Sequence, residues 1–183
     1  ELQEMGQLVF LEDGKLDIKS DALAIALPHW NDLSGRVENI LDTFHKQFPL
    51  RRGIPREELK SRLKVTPRIF NATLKVLVES NILKDARGAV SRLGHEIKFD
   101  ASQQSKVQEL MRKFAKNPYA TPSIKECQAN VGEEIISALI EMGELVAVSQ
   151  DVIFRKQDYD GMVEKIKVTI QQKEQVTLGE VRD

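Results

Sequence analysis

Apolar positions along this chain follow a helical rhythm, then a strand rhythm, and the whole order then repeats. From Ser34 onward, Val37, Ile40, Leu41, Phe44 and Phe48 fall at helical spacing and place one apolar stripe on a helix face. Pro49 ends that helix. Pro55 is placed to open a short second helix running through Leu59 to about Leu63, with Glu57 and Glu58 in the first turn, where the helix dipole favours acid. Thr66-Pro67 joins a capping hydroxyl to a proline at the first helical position and predicts a third helix that buries Phe70, Leu74, Leu77 and Val78. Two short strands follow, at 82–85 and 89–93, around an Arg87-Gly88 turn. The order then returns. Val107, Leu110, Met111 and Phe114 form a stripe broken by Asn117-Pro118, and Ser123 with Glu126 forms a capping box for a short helix. Asn130 or Gly132 opens a helix burying Ile135, Ile136, Leu139 and Ile140, and strands at 145–148 and 152–156 turn at Gln150-Asp151.

The junction between the third helix and the first strand is itself repeated. It reads EMGELVAV at 141–148, EMGQLVFL at 4–11 and, more loosely, ESNILKD at 79–85. Gly143, Gly6 and Asn81 occupy the place of a left-handed helix cap, the conformation Gly and Asn reach at least cost. A junction seen three times predicts tandem small units instead of one large core. Three helices followed by a two-stranded wing is the winged-helix variant of helix-turn-helix. The fold class expected is therefore mainly α with small β-hairpin wings (α+β), arranged as a tandem array of winged-helix domains. Residues 1–30 read as the C-terminal part of a first unit, with a helix end at 1–5 and a wing made of 7–12, an Asp13-Gly14 turn and 15–19. Residues 31–98 form the second unit and 99–157 the third. Residues 158–183 read as the opening of a fourth, with Val163, Ile166 and Ile170 on one face and a Thr177/Glu180 capping box. On this reading the chain is a piece of a longer array at both ends.

Composition narrows the chemistry. At 41% hydrophobic and 30% charged the chain is too apolar for disorder. Its single cysteine, Cys127, rules out an internal disulfide, fits a reducing, cytoplasmic compartment, and reads as a buried small hydrophobe and not as a nucleophile. No phosphate-cradling glycine motif is present, and His29, His45 and His95 are too scattered to suggest a metal site. No enzyme activity, cofactor, metal or membrane partner is expected, and the chain is expected to be a monomer.

Charge is the feature that stands out. The chain as a whole carries −1, yet residues 45–75 hold nine basic side chains against Glu57 and Glu58, a local excess of seven. Arg51, Arg52, Arg56, Lys60, Arg62, Lys64, Arg68, Asn71 and Lys75 are the candidate nucleic-acid-binding residues, with Arg68, Asn71, Lys75 and Glu79 on the exposed face of the third helix. The plainer alternative is a solvated charged face. The equivalent helix of the next unit presents Glu133, Glu134, Ser137 and Glu141, a face that repels phosphate and suits a spacer or a protein-contacting module.

Residues 44–63, FHKQFPLRRGIPREELKSRL, resemble the second winged-helix unit of the bacterial selenocysteine-specific translation elongation factors, the SelB family. Ile69-Phe70-Asn71, Gly94-His95-Glu96, Thr121-Pro122-Ser123 and the run 139–146 (LIEMGELV) are similar to later parts of that family. The resemblance implies an arm of four tandem winged helices. It would join a GTP-binding, tRNA-carrying part to the messenger-RNA hairpin (SECIS) that recodes UGA as selenocysteine, on the ribosome. In the family the hairpin is gripped by the fourth unit, so those residues are not in this chain. The RNA expected at residues 51–75 is a secondary contact to ribosomal or transfer RNA phosphates. A DNA-binding regulator, with Asn71 as its one good base-reading side chain, and a protein-binding scaffold remain as alternatives.

Overall fold

The computed structural model describes residues 7–12 and 21–173. The helix end at 1–5 with the Gly6 cap, the Asp13-Gly14 turn, the strand at 15–19 and the Thr177/Glu180 capping box lie outside the described residues. The chain divides into two compact units, residues 1–97 and 98–183.

In the first unit a two-stranded ribbon precedes the helices. Strand β1 (Leu8–Phe10) pairs antiparallel with β2 (Ala24–Ala26), in register Leu8 to Ala26. The partner of β1 is thus the Ala-Ile-Ala stretch just before the first helix, which the sequence reading left unassigned. That helix, α1 (Leu27–Gln47), starts seven residues earlier than expected. Ser34, where the sequence reading began the stripe, lies inside the helix, and its hydroxyl donates back to the Asn31 carbonyl at 3.2 Å, a bond a serine makes there. Pro28 sits in the first turn instead, where its missing N–H costs nothing.

Helix α2 (Arg56–Leu63) and helix α3 (Pro67–Glu79) complete the helical layer. Pro55 falls one place earlier than expected, as the cap residue of α2, because it also ends a two-residue strand, β3 (Ile54–Pro55). β3 was not foreseen. It pairs with β5 (Ala89–Arg92), which pairs in turn with β4 (Leu83–Ala86), giving a three-stranded sheet in the order β3-β5-β4. A proline is tolerated in this sheet because it lies on an edge strand. Asn81 takes the left-handed conformation its place predicted (φ 55°), and the wing turns through Arg87 (φ 53°) and Gly88 (φ 77°).

The core of this unit joins Leu33, Val37, Leu41 and Phe44 of α1 to Leu59 and Leu63 of α2, Phe70, Leu74 and Leu77 of α3, and Ile54, Leu83 and Val90 of the sheet. Trp30 and Ile25 pack against its margin. Arg92 ties β5 to α1 through Glu38 and Asp42, and Arg36 donates to the Leu63 carbonyl at the end of α2.

The second unit repeats the plan with fewer strands. Helices α4 (Ala101–Lys116), α5 (Ile124–Val131) and α6 (Glu133–Met142) are followed by the hairpin β6 (Leu145–Ala147) and β7 (Ile153–Arg155). The capping box at Ser123 and Glu126 forms as its spacing predicted, and Asp100 and Gln103 make another at α4. Gly132 is the residue that separates α5 from α6, with φ 98°, and Gly143 closes α6 with φ 83°. Leu110, Phe114, Ile136, Leu139 and Ile153 are fully buried, as is Cys127, whose thiol burial holds in the protonated form by raising its pKa. Helix α7 (Lys156–Lys173) runs directly on from β7, anchored where Arg155 grips Asp158 with two bonds of 2.7 and 2.9 Å.

Candidate nucleic-acid interface

A helix-turn-helix with a wing offers three surfaces to a polyanion: the exposed face of α3, the α2–α3 turn and the wing turn. In the first unit α3 is set by the Thr66 hydroxyl, which accepts the Ile69 N–H, and by Pro67 at its first position. Of its apolar stripe Phe70, Leu74 and Leu77 are buried and Val78 half-buried, and Arg68, Asn71, Lys75 and Glu79 all face solvent as the spacing predicted.

Pairing changes the meaning of the basic cluster. Among the described residues, at least five of the eight predicted cations have a carboxylate partner. On α2, Lys60 pairs with Glu57 and Arg62 with Glu58, one turn apart. Lys75 lies 3.8 Å from Glu79. Arg68 reaches back to the ribbon, where its Nε and Nη2 donate to the two carboxylate oxygens of Glu12 at 2.9 and 2.7 Å, and Nη2 also donates to the Asp21 carbonyl at 2.6 Å. The Arg68 guanidinium holds the Glu12 carboxyl below its ordinary pKa. Arg68 is therefore a clamp between α3 and the ribbon before it.

Arg56 is the hub of the site. It stands at the start of α2, where its backbone N–H donates to the Gly88 carbonyl of the wing turn at 3.0 Å. Its guanidinium pairs with Asp85 of β4, lies 5.5 Å from the centre of the Phe70 ring, and donates from Nη2 to the Asn71 side-chain oxygen at 2.8 Å. One arginine thus fixes wing and α3 together. Because the Asn71 oxygen faces Arg56, its amide nitrogen is the end left toward solvent.

The remaining predicted residues are dispersed. Arg51 and Arg52 lie in the turn after α1, Arg51 exposed and Arg52 half-buried, and the Arg51 carbonyl accepts from His95 Nε2 at 2.9 Å. Lys64 ends α2 in the left-handed conformation, exposed, with no ion pair to any described residue. Sequence reasoning missed Arg87. It is exposed on the wing turn and likewise makes no ion pair with a described residue. Arg87-Gly88 was legible as a turn, and a winged helix puts that turn beside α3, so the signal was there.

His45 and His95 also meet, although they are remote in sequence. Their rings stack with centroids 3.5 Å apart and planes 17° from parallel, beside a shallow cleft of about 370 Å³ that Asp42, Lys46 and Arg92 also line. His45 Nε2 accepts the Arg92 backbone N–H at 3.3 Å, which requires the neutral ring. Burial, with the neighbouring His95 second, lowers its pKa to about 4.

In the second unit Glu133 and Glu134 are exposed in the first turn of α6, but Ser137 and Glu141 are half-buried, so the acidic face is narrower than expected. The two exposed acids stand where the helix dipole favours them. Among the described residues no group of three or more His, Cys, Asp or Glu is arranged to hold a metal, and no helix is long and apolar enough to cross a membrane.

Residues 39–91 match the family model for the winged helix of elongation factor SelB. No curated protein gives a significant match. The matched span runs from within α1 through β4 into β5, and so takes in α2, α3 and the wing, the part of the chain that is similar to that winged helix.

Proposed function

We propose that this chain is part of the winged-helix arm of a selenocysteine-specific elongation factor, joining a GTP-binding, tRNA-carrying part to a messenger-RNA hairpin. The observation that carries the reading is the match of residues 39–91 to the SelB winged helix, supported by a second unit with the same order of helices and hairpin. In this reading the arm is chiefly a spacer. The first compact unit adds weak, sequence-independent contacts to RNA phosphates, and the acidic start of α6 keeps the second unit clear of them. The internal pairing of Arg56, Lys60, Arg62, Arg68 and Lys75 favours this over a DNA regulator, since it leaves few groups to read base edges.

The test is a salt titration of the chain against three labelled probes: the recoding hairpin, an unrelated RNA hairpin and a DNA duplex. The reading expects weak binding to both RNAs with a steep salt slope and little preference between them. Tight, sequence-dependent binding of DNA would replace it with the regulator reading, and no binding to any probe at low salt would leave a protein-contacting scaffold.

A further inference from the structure

The cations that sequence counting brings forward are mostly held by acids of the same unit, so a phosphate would have to break an existing ion pair to use them. Lys64 at the end of α2 escapes this among the described residues, and so do two donors beside the wing. The Asn71 side-chain nitrogen has no partner among the described residues, the amide being oriented by Arg56, which donates to its oxygen at 2.8 Å. Arg87 has no carboxylate partner among the described residues and sits on the wing turn. The two belong to one locality, since Arg56 donates its backbone N–H to Gly88, the residue after Arg87, and its side chain to Asn71.

The geometry points to an RNA phosphate site formed by the Asn71 amide and the Arg87 guanidinium across the junction of α3 and the wing, with Arg56 as the positioning residue. This deepens, and rests on, the reading of the arm as a phosphate-contacting spacer. The ligand must be an acceptor, because the junction presents N–H donors while its carboxylate, Asp85, is occupied by Arg56. A backbone phosphate oxygen meets that requirement. Bidentate readout of adenine asks Asn71 to offer its oxygen as well as its nitrogen, and that oxygen is already taken.

The test measures binding of a fluorescein-labelled RNA hairpin by anisotropy across a salt series, with the whole chain. Asn71→Asp keeps the oxygen that Arg56 bonds and turns the outward donor into an acceptor. Arg87→Asn removes the charge with a residue that tolerates the left-handed turn. Each is expected to weaken binding about three- to fivefold, and Arg87→Asn to lower the salt slope by about one. The double change Glu58→Gln with Arg62→Gln removes a pair without altering net charge, and is expected to stay within about twofold of the parent. If the chain binds RNA with a salt slope but Asn71→Asp and Arg87→Asn leave it unchanged, this site is wrong and the spacer reading stands. If the parent chain shows no salt-dependent RNA binding, both fall. Far-ultraviolet dichroism and thermal unfolding of each variant exclude loss of fold as the cause.

Discussion

Gly53 and Gly35 should respond to the same substitution with opposite sign. Gly53 immediately precedes β3, and a Cβ built there falls 2.4 Å from the Val90 carbonyl oxygen, 2.8 Å from its carbonyl carbon and 3.2 Å from the Ser91 Cβ. The first two are backbone atoms of β5, the central strand, so they cannot swing aside as the end of a long side chain can. Relief requires moving β3 off β5 by roughly 1 Å, the amount by which the closest approach falls short of an ordinary contact near 3.5 Å. Overpacking of this kind costs typically 1–3 kcal/mol, and weakening the Ile54 to Val90 pairing adds about 1 kcal/mol. We expect Gly53→Ala to destabilise the first unit by about 2–4 kcal/mol. Gly35 lies within α1 with nothing inside 4 Å of its Cβ position. Gly35→Ala should stabilise by about 0.5–1 kcal/mol, through helix propensity and a less flexible unfolded chain. The assay is urea unfolding followed by fluorescence of Trp30, the chain's one tryptophan, which packs on the core of this unit and so reports it alone. A Gly53→Ala midpoint within 0.5 kcal/mol of the parent would refute the close-approach argument. A loss in Gly35→Ala would show that α1 needs that glycine for something its surroundings do not reveal.

Other expectations follow from the same geometry. Ser123→Ala removes one half of the capping box that starts α5 and should cost about 1 kcal/mol, read as faster amide exchange through α5 with the first unit unchanged. His45 has a folded-state pKa near 4 against an ordinary 6.5, so the unfolded chain binds the extra proton first; stability should fall as pH drops from about 6.5 to 4. Solvent screening at this partly open site limits the loss to about 1–2 kcal/mol, and His45→Gln should flatten that part of the pH profile measured by Trp30 unfolding. Glu12 has its pKa lowered by Arg68, so its contribution is present at neutral pH and lost as pH falls through the depressed value. Glu12→Gln should speed exchange of the Leu11 and Leu23 amides at neutral pH while leaving α1 protected, and equal protection in both proteins would remove the clamp assigned to Arg68.

Much of the plan was legible in the chain because it is written in short-range terms. The stripes of α1 (save Phe48, which lies past the helix end and is exposed), α3, α4 and α6, the caps at Thr66 and Ser123, the left-handed places of Asn81 and Gly143, and the wing turn at Arg87-Gly88 each depend on residues within a turn or two of one another. Strand pairing between distant segments did not follow that logic. The partner of β1 was settled by what lies beside it in space, and β3 exists only because Gly53 lets the chain come against β5. The charges show the division most clearly. Counting residues gave an excess of seven between 45 and 75, which is a property of the sequence. Whether a cation is available depends on which acid the fold brings to it, and Glu12 and Asp85 come from 56 and 29 residues away. Local spacing determined the elements and most of the core; only tertiary packing decided that Arg68 and Arg56 are fastenings, and that Asn71 and a wing arginine stand open beside each other.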